Sequence, residues 1–193
     1  MTSGSIDLLP ATYETFTAAI AGDAELARLL GCAVAPQWTD FVGALPYLRK
    51  PYAEGAGALQ WGSSFFMVNA PLTLVGIGGF KGAPSAEGFV EVGYSLAPAY
   101  RGRGLATSAV RELIVRAFAA PEVHAVDATT LAEGNPSTRV LERIGFVRIG
   151  TREEHEVGPL WQWRLTRSLA VQSRQHDAWP RSDDPSASNR ASG

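Results

Sequence analysis

The sequence predicts a mixed α/β domain built around a mostly antiparallel sheet, and three observations carry that reading. Residues 63–69 (SSFFMVN) and 72–80 (LTLVGIGGF) are rich in β-branched and aromatic residues and are parted only by Ala70-Pro71, the pattern of an antiparallel hairpin. Residues 87–96 (EGFVEVGYSL) alternate as a third strand. A helical pattern and a further strand follow, so the unit at about 87–130 reads as a right-handed crossover that sets two strands in parallel.

The remaining elements follow in chain order. Residues 5–9 (SIDLL) read as a short strand ended by Pro10. Between 11 and 30 two helical patterns appear: Tyr13, Phe16, Ala19 and Ile20 recur at helical spacing, and Leu26, Leu29 and Leu30 do so after Asp23. A helix is expected across about 39–50. The helix of about 103–119 has one apolar face made by Leu105, Ala109, Val110, Leu113, Ile114, Ala117 and Phe118. Residues 123–130 (VHAVDATT) form a strand. Residues 136–144 form a short helix, with Asn135 as its cap, Pro136 at its first position and Gly145 at its end. Two more strands are expected at 146–151 and 159–166. Residues 1–167 thus read as a single domain. From Ser168 the chain is polar and rich in Pro and Ser, and a disordered tail is expected over 168–193.

The composition narrows the function. A chain of 193 residues suits one domain, which at this size buries roughly 70% of its unfolded surface. A net charge of −2 gives no basic field for nucleic acid and no basic segment for a membrane surface. The single cysteine, Cys32, rules out an internal disulfide framework and a thiolate zinc cluster, and fits a cytoplasmic setting. No metal site is expected. Nor is a signal peptide or a membrane span, since no stretch reaches the roughly 18–20 apolar residues a span needs.

The chemistry concentrates in residues 100–107, YRGRGLAT, at the mouth of the longest predicted helix. The first backbone N–H groups of a helix lack internal partners and point outward, where the dipole adds about half a positive charge. Gly102 and Gly104 keep side chains away from those donors, and Arg101 and Arg103 add charge beside them. The combination suits a phosphate or diphosphate. A Walker loop is absent, and the dinucleotide fingerprint fails at Thr107. The stretch 76–82, GIGGFKG, fails it as well and reads as a strand with close backbone contacts.

R-x-x-G-x-A across Arg101, Gly104 and Ala106 resembles the coenzyme A signature of the GNAT acyltransferases. The string VEVGYSLAPAYRGRGLATSAVRELI, followed by NPSTRVLERIGFVRIG, is similar to the RimJ/RimL-type branch. The resemblance covers about 60–166 well and 5–60 loosely. It implies helices on both faces of the sheet, a splayed parallel strand pair, and direct acyl transfer from acyl-coenzyme A, usually acetyl-coenzyme A, to an amine. It places the diphosphate on the backbone of Arg101, Gly102, Arg103, Gly104, Leu105, Ala106 and Thr107. It places the pantetheine arm against Tyr94, Ser95 and Leu96, with Asn135 as a further contact, a role compatible with capping.

Many members use a helical tyrosine to protonate the leaving thiolate. Leu141 holds that place here, and Ser137 is the replacement the resemblance implies. For a base the candidate is Glu91: alternation puts Phe89, Glu91 and Gly93 on one face and Val90, Val92 and Tyr94 on the other. His124 and His155 are spare candidates. The expected acceptor is a protein N-terminus or a small-molecule amine. Deprotonating a lysine at pH 7.4 costs about 4 kcal/mol and a peptide α-amine under about 1 kcal/mol, which favours the latter where no strong base is present. Residues 11–60 are expected to wall the acceptor site, with Trp38, Tyr47, Tyr52 and the following Trp61 either lining it or packing in the core. A non-catalytic acyl-coenzyme A sensor of the same fold is the alternative function, and both monomer and homodimer fit the sequence.

Overall fold

A computed structural model describes residues 6–55, 57–69, 71–155 and 157–176. The strands are β1 (Asp7–Pro10), β2 (Ala33–Val34), β3 (Ser63–Asn69), β4 (Leu72–Phe80), β5 (Phe89–Leu96), β6 (Ala125–Leu131), β7 (Val147–Glu154) and β8 (Gly158–Thr166). The helices are α1 (Tyr13–Ala21), α2 (Asp23–Leu30), α3 (Leu45–Arg49), α4 (Leu105–Ala119), α5 (Pro136–Ile144) and α6 (Arg167–His176). The sheet runs β1-β3-β4-β5-β6-β8-β7, with β2 lying beside β4. All pairings along that order are antiparallel except β5 with β6; the two-residue β2 also runs parallel to β4. The crossover β5–α4–β6 forms as expected. Among the described residues no helix is long and apolar enough to cross a membrane.

Alternation along the strands builds a core on each face. On one face Phe66, Val75, Val90, Val92, Val126 and Leu165 pack under α4, α5 and α6. On the other, Phe65, Met67, Leu74 and Ile77 pack against Phe16, Leu26 and Leu45 from α1, α2 and α3. Fully buried residues such as Phe16, Phe65 and Leu113 each contribute about 1.5–3 kcal/mol of hydrophobic burial. The glycines of β4 serve close packing, as the sequence reading held. A Cβ at Gly76 would meet the Ser95 carbonyl oxygen at 2.5 Å, and one at Gly79 would meet the Gly62 carbonyl oxygen at 2.4 Å.

Three expectations need correction. The helix expected over 39–50 is only a 3-10 turn (Val42–Ala44) followed by the five residues of α3. Pro46 suits a helix start rather than an interior, and Pro51 stops the continuation. The predicted helix of 103–119 begins at Leu105, because Gly102 (φ 74°) and Gly104 (φ 80°) are left-handed. Where a disordered tail was expected to begin, α6 runs from 167 to 176. Arg167 holds its start by donating to the carbonyls of Phe118, Ala120 and Val123 at 2.7, 2.9 and 2.8 Å, and Ala170 is buried. Residues 177–193 of that tail lie outside the described residues.

Candidate active site at a splayed strand pair

The parallel pair β5–β6 holds register only from Phe89↔Ala125 to Val92↔Ala128. Beyond that the strands part. Gly93–Leu96 stay with β4, opposite Gly79–Gly76, while Thr129–Leu131 stay with β8, opposite Gln162–Leu160. The Lys81 N–H donates to the Glu91 carbonyl at 2.9 Å, so odd-numbered residues of β5 turn their backbone groups toward β4. Tyr94 and Leu96 therefore turn theirs into the opening. The Leu96 carbonyl accepts from Arg101 Nε at 2.8 Å. The Leu96 N–H and both backbone groups of Tyr94 remain as an edge for an extended, amide-bearing ligand to pair with.

At the open end of this wedge stands the tip of α4. Gly104 is its N-cap and provides no side-chain hydrogen bond; the first turn carries no acidic residue. The first intrahelical bond is Ser108 N–H to the Gly104 carbonyl, which leaves the N–H groups of Leu105, Ala106 and Thr107 directed out of the tip. The side chains of Leu105 and Thr107 are buried, so the tip offers backbone rather than side chain. A Cβ at Gly102 would meet nothing within 4 Å, so that residue leaves room beside the donors. Arg103 is exposed, with its guanidinium 5.3 Å from the Tyr100 ring centroid. These are the features a diphosphate needs, and the residues fit that group.

The Arg101 side chain is held by protein groups. Besides Leu96, its guanidinium donates to both carboxylate oxygens of Asp40, at 3.1 and 3.4 Å. The buried Ser95 hydroxyl donates to Asp40 Oδ2 at 3.0 Å and accepts from the Asp40 N–H at 2.9 Å. Arg101 thus binds protein groups on the loop before α3.

Glu91 lies where alternation put it, on the sheet face opposite α4, just before the strands part. Its Oε1 accepts from Lys81 Nζ at 2.5 Å and from the Thr129 hydroxyl at 2.9 Å. Burial alone would raise the carboxyl. The Lys81 hydrogen bond and charge, the Thr129 hydroxyl and the charge of Arg152 outweigh it and hold Glu91 below the ordinary glutamate value. Nearby on the same face Arg164 grips Asp127 with two bonds of 2.7 Å and lies 3.8 Å from the Phe89 ring centroid.

Across the opening, Asn135 caps α5: its Oδ1 accepts from the N–H groups of Ser137 and Thr138 at 2.9 and 3.0 Å. Only its amide nitrogen is left to meet a ligand. The Tyr94 hydroxyl spans from β5 to the Ser137 carbonyl at 3.3 Å, and burial raises its pKa, so it stays protonated. Ser137 is half-buried at the same point, and Leu141 is fully buried. His124 precedes β6 at the paired end, and His155 sits in the turn between β7 and β8; neither is on the splayed segment. Trp38 and Tyr52 are core residues, Tyr47 is 67% exposed, and Trp61 packs edge-on against Phe80.

Sequence reasoning missed Lys81, Thr129, Asp40 and the Tyr94 hydroxyl. Lys81 was legible in principle, because the β4–β5 hairpin register sets it opposite Glu91. Asp40 carried no signal, being 55 residues from Ser95. A cavity of about 540 Å³ lies elsewhere, against α1 and α2, lined by residues such as Tyr13, Glu14, Glu25 and Leu29. It contains neither a strand edge nor the α4 tip.

The chain is similar to known proteins over most of its length. A profile of the acetyltransferase (GNAT) domain matches residues 8–147. The chain is 27% identical over 127 residues to the uncharacterized N-acetyltransferase YjdG of Bacillus subtilis, a match that covers 65% of this chain and 76% of that protein. Its fold is similar to that of Mycobacterium smegmatis RimJ in complex with CoA-disulfide (TM-score 0.62, 18% identity, 92% of this chain and 91% of that one). It is also similar to aminoglycoside acetyltransferase AAC(6')-Ib in complex with coenzyme A and kanamycin (TM-score 0.62, 20% identity, 88% of this chain and 99% of that one).

Proposed function

The chain belongs to the GNAT acetyltransferase family, and on that premise we propose that it transfers an acetyl group from acetyl-coenzyme A to the α-amine of a protein or peptide N-terminus, in the manner of the RimJ/RimL branch. Acetyl-coenzyme A supplies the activated thioester. The bare N–H groups of Leu105, Ala106 and Thr107, with the backbone from Arg101 to Gly104 and the charge of Arg103, bind its diphosphate. The free edge at Tyr94 and Leu96 pairs with the amides of its arm, and the Leu96 N–H stands ready to stabilise charge on the thioester oxygen. The Asn135 amide nitrogen adds a donor from the far wall.

The state of Glu91 carries the choice of acceptor. With Lys81 and Thr129 on one oxygen, this carboxylate is a weak base. It attracts an ammonium group but does little to strip a proton from an amine of pKa near 10.4. An α-amine, near 7.8, is already partly neutral at pH 7.4 and needs no strong base. Glu91 then orients the amine and receives its proton through water. The Ser137 hydroxyl, at the start of α5 where the Tyr94 hydroxyl holds the Ser137 carbonyl, donates a hydrogen bond toward the departing sulfur.

The test is release of free thiol with a panel of acceptors: short peptides with different first residues, the same peptides with blocked N-termini and an internal lysine, and small polyamines and aminoglycosides. Turnover confined to free α-amines is expected. Turnover of blocked lysine peptides or of the small amines alone refutes the acceptor assignment and leaves the family intact.

A further inference from the structure

The family signature begins with an arginine, and its natural assignment is to the diphosphate. The observed geometry of that arginine points elsewhere. Arg101 donates Nε to the Leu96 carbonyl at 2.8 Å and Nη2 to the two oxygens of Asp40 at 3.1 and 3.4 Å. Asp40 in turn holds the buried Ser95 hydroxyl by two bonds of 2.9 and 3.0 Å, one through its own N–H. The three residues close a ring that joins three separate segments: the splayed end of β5, the loop before α4, and the loop before α3.

That last loop is anchored at its other side too. The Trp38 indole N–H donates to Asp23 at 3.0 Å on α2, and the Phe41 N–H donates to the Thr39 hydroxyl at 2.9 Å. Directly after Asp40 come Phe41 and Val42, 38% and 66% exposed. Consecutive Cα atoms are about 3.8 Å apart, so fixing Asp40 on Ser95 keeps these two apolar residues close to the splayed end of β5.

We infer that Asp40 is a positioning residue: with Ser95 and Arg101 it clamps the Phe41–Val42 segment onto the coenzyme-binding strand and so builds the acceptor side of the site, while the Arg101 guanidinium serves this clamp and not the phosphates. The assignment of acceptor side rests on the transferase reading above; the clamp itself does not. The network also explains two choices of residue. Ser95 is buried but polar because both capacities of its hydroxyl are used. Arg101 is an arginine because only a planar fork reaches a backbone carbonyl and a carboxylate together.

The experiment uses the full chain and the variants Asp40→Asn, Ser95→Ala and Arg101→Lys. Coenzyme A binding is measured by calorimetric titration, and hydrogen exchange is followed over residues 36–44. Michaelis constants are measured for acetyl-coenzyme A and for the best peptide of the acceptor panel. Asp40→Asn and Arg101→Lys are each expected to raise the peptide KM by about tenfold and to speed exchange over 36–44, while the dissociation constant for coenzyme A stays within about twofold. Ser95→Ala gives the same pattern more weakly.

Two results overturn the clamp: unchanged exchange over 36–44 in Asp40→Asn, or a tenfold loss of coenzyme A affinity confined to Arg101→Lys. Wild-type protein that fails to bind coenzyme A refutes the transferase reading instead, and the exchange comparison still decides the clamp.

Discussion

The N-termini of α4 and α5 face the same wedge and are built in opposite ways. At α5 the donors are occupied: Asn135 accepts from two backbone N–H groups, Thr138 closes a capping box, and Pro136 removes a donor altogether. At α4 the cap is Gly104, no side chain among the described residues makes a capping hydrogen bond, and the first turn carries no carboxylate. A glycine cap forgoes roughly a few tenths of a kcal/mol relative to Asn or Ser. The contrast within one domain supports the proposal that the open tip serves a ligand: one end is closed for stability, and the other keeps its donors available to an anion.

The strongest way to break the contrast is to make α4 resemble a capped helix. Gly104→Asp places a carboxylate at the tip, in a left-handed conformation that Asp tolerates better than most residues. Coenzyme A affinity should fall by at least about 100-fold, roughly 2.7 kcal/mol, with the fold retained in circular dichroism. Binding that survives this change would remove the diphosphate from the α4 tip.

Tyr94→Phe acts where the two walls meet. It keeps the ring and removes the hydroxyl that reaches the Ser137 carbonyl. Its expected effect is a drop of about tenfold in kcat, with coenzyme A affinity within about twofold. Asn135→Ala opens the closed tip and should cost about 1 kcal/mol of stability. In a domain of this size that lowers Tm by about 2–4 °C. Stabilisation by coenzyme A should persist in this variant, and its loss would make Asn135 a ligand first and a cap second.

The smallest effect concerns pH. Glu91 has a folded pKa below its unfolded reference of 4.5, so its pairing with Lys81 and Thr129 is fully present above that value. The contribution fades as pH falls through the lower native pKa. Melting temperatures of Glu91→Gln should accordingly show a shallower loss than wild type on acidification below about pH 4.5 and the same slope above it.

Much of this was legible along the chain. The hairpin of β3 and β4, the crossover β5–α4–β6 and the capped α5 follow from local pattern, since alternation, helical spacing, Asn135, Pro136 and Gly145 each act on near neighbours. Gly102 and Gly104 announced an unusual backbone because only glycine adopts a positive φ at no cost. The tail boundary failed for the opposite reason. SLAV offers little apolar surface, and α6 depends on Arg167 reaching carbonyls 44 to 49 residues away. The region of α3 failed because Pro46 fits only the start of a helix and Pro51 stops it, so the apolar spacing over 39–50 does not form one continuous helix.

Sequence by itself determined the order and type of most elements and the bare tip of α4, because those depend on interactions between residues a few positions apart. Tertiary structure alone decided which charges are free. It paired Arg101 with Asp40 across 61 residues, set Lys81 on Glu91, and brought the Tyr94 hydroxyl to α5 across 43. Ion pairs and hydrogen bonds form between whichever groups the fold brings within about 3 Å, and that proximity follows from how the strands register and part, which no local pattern encodes.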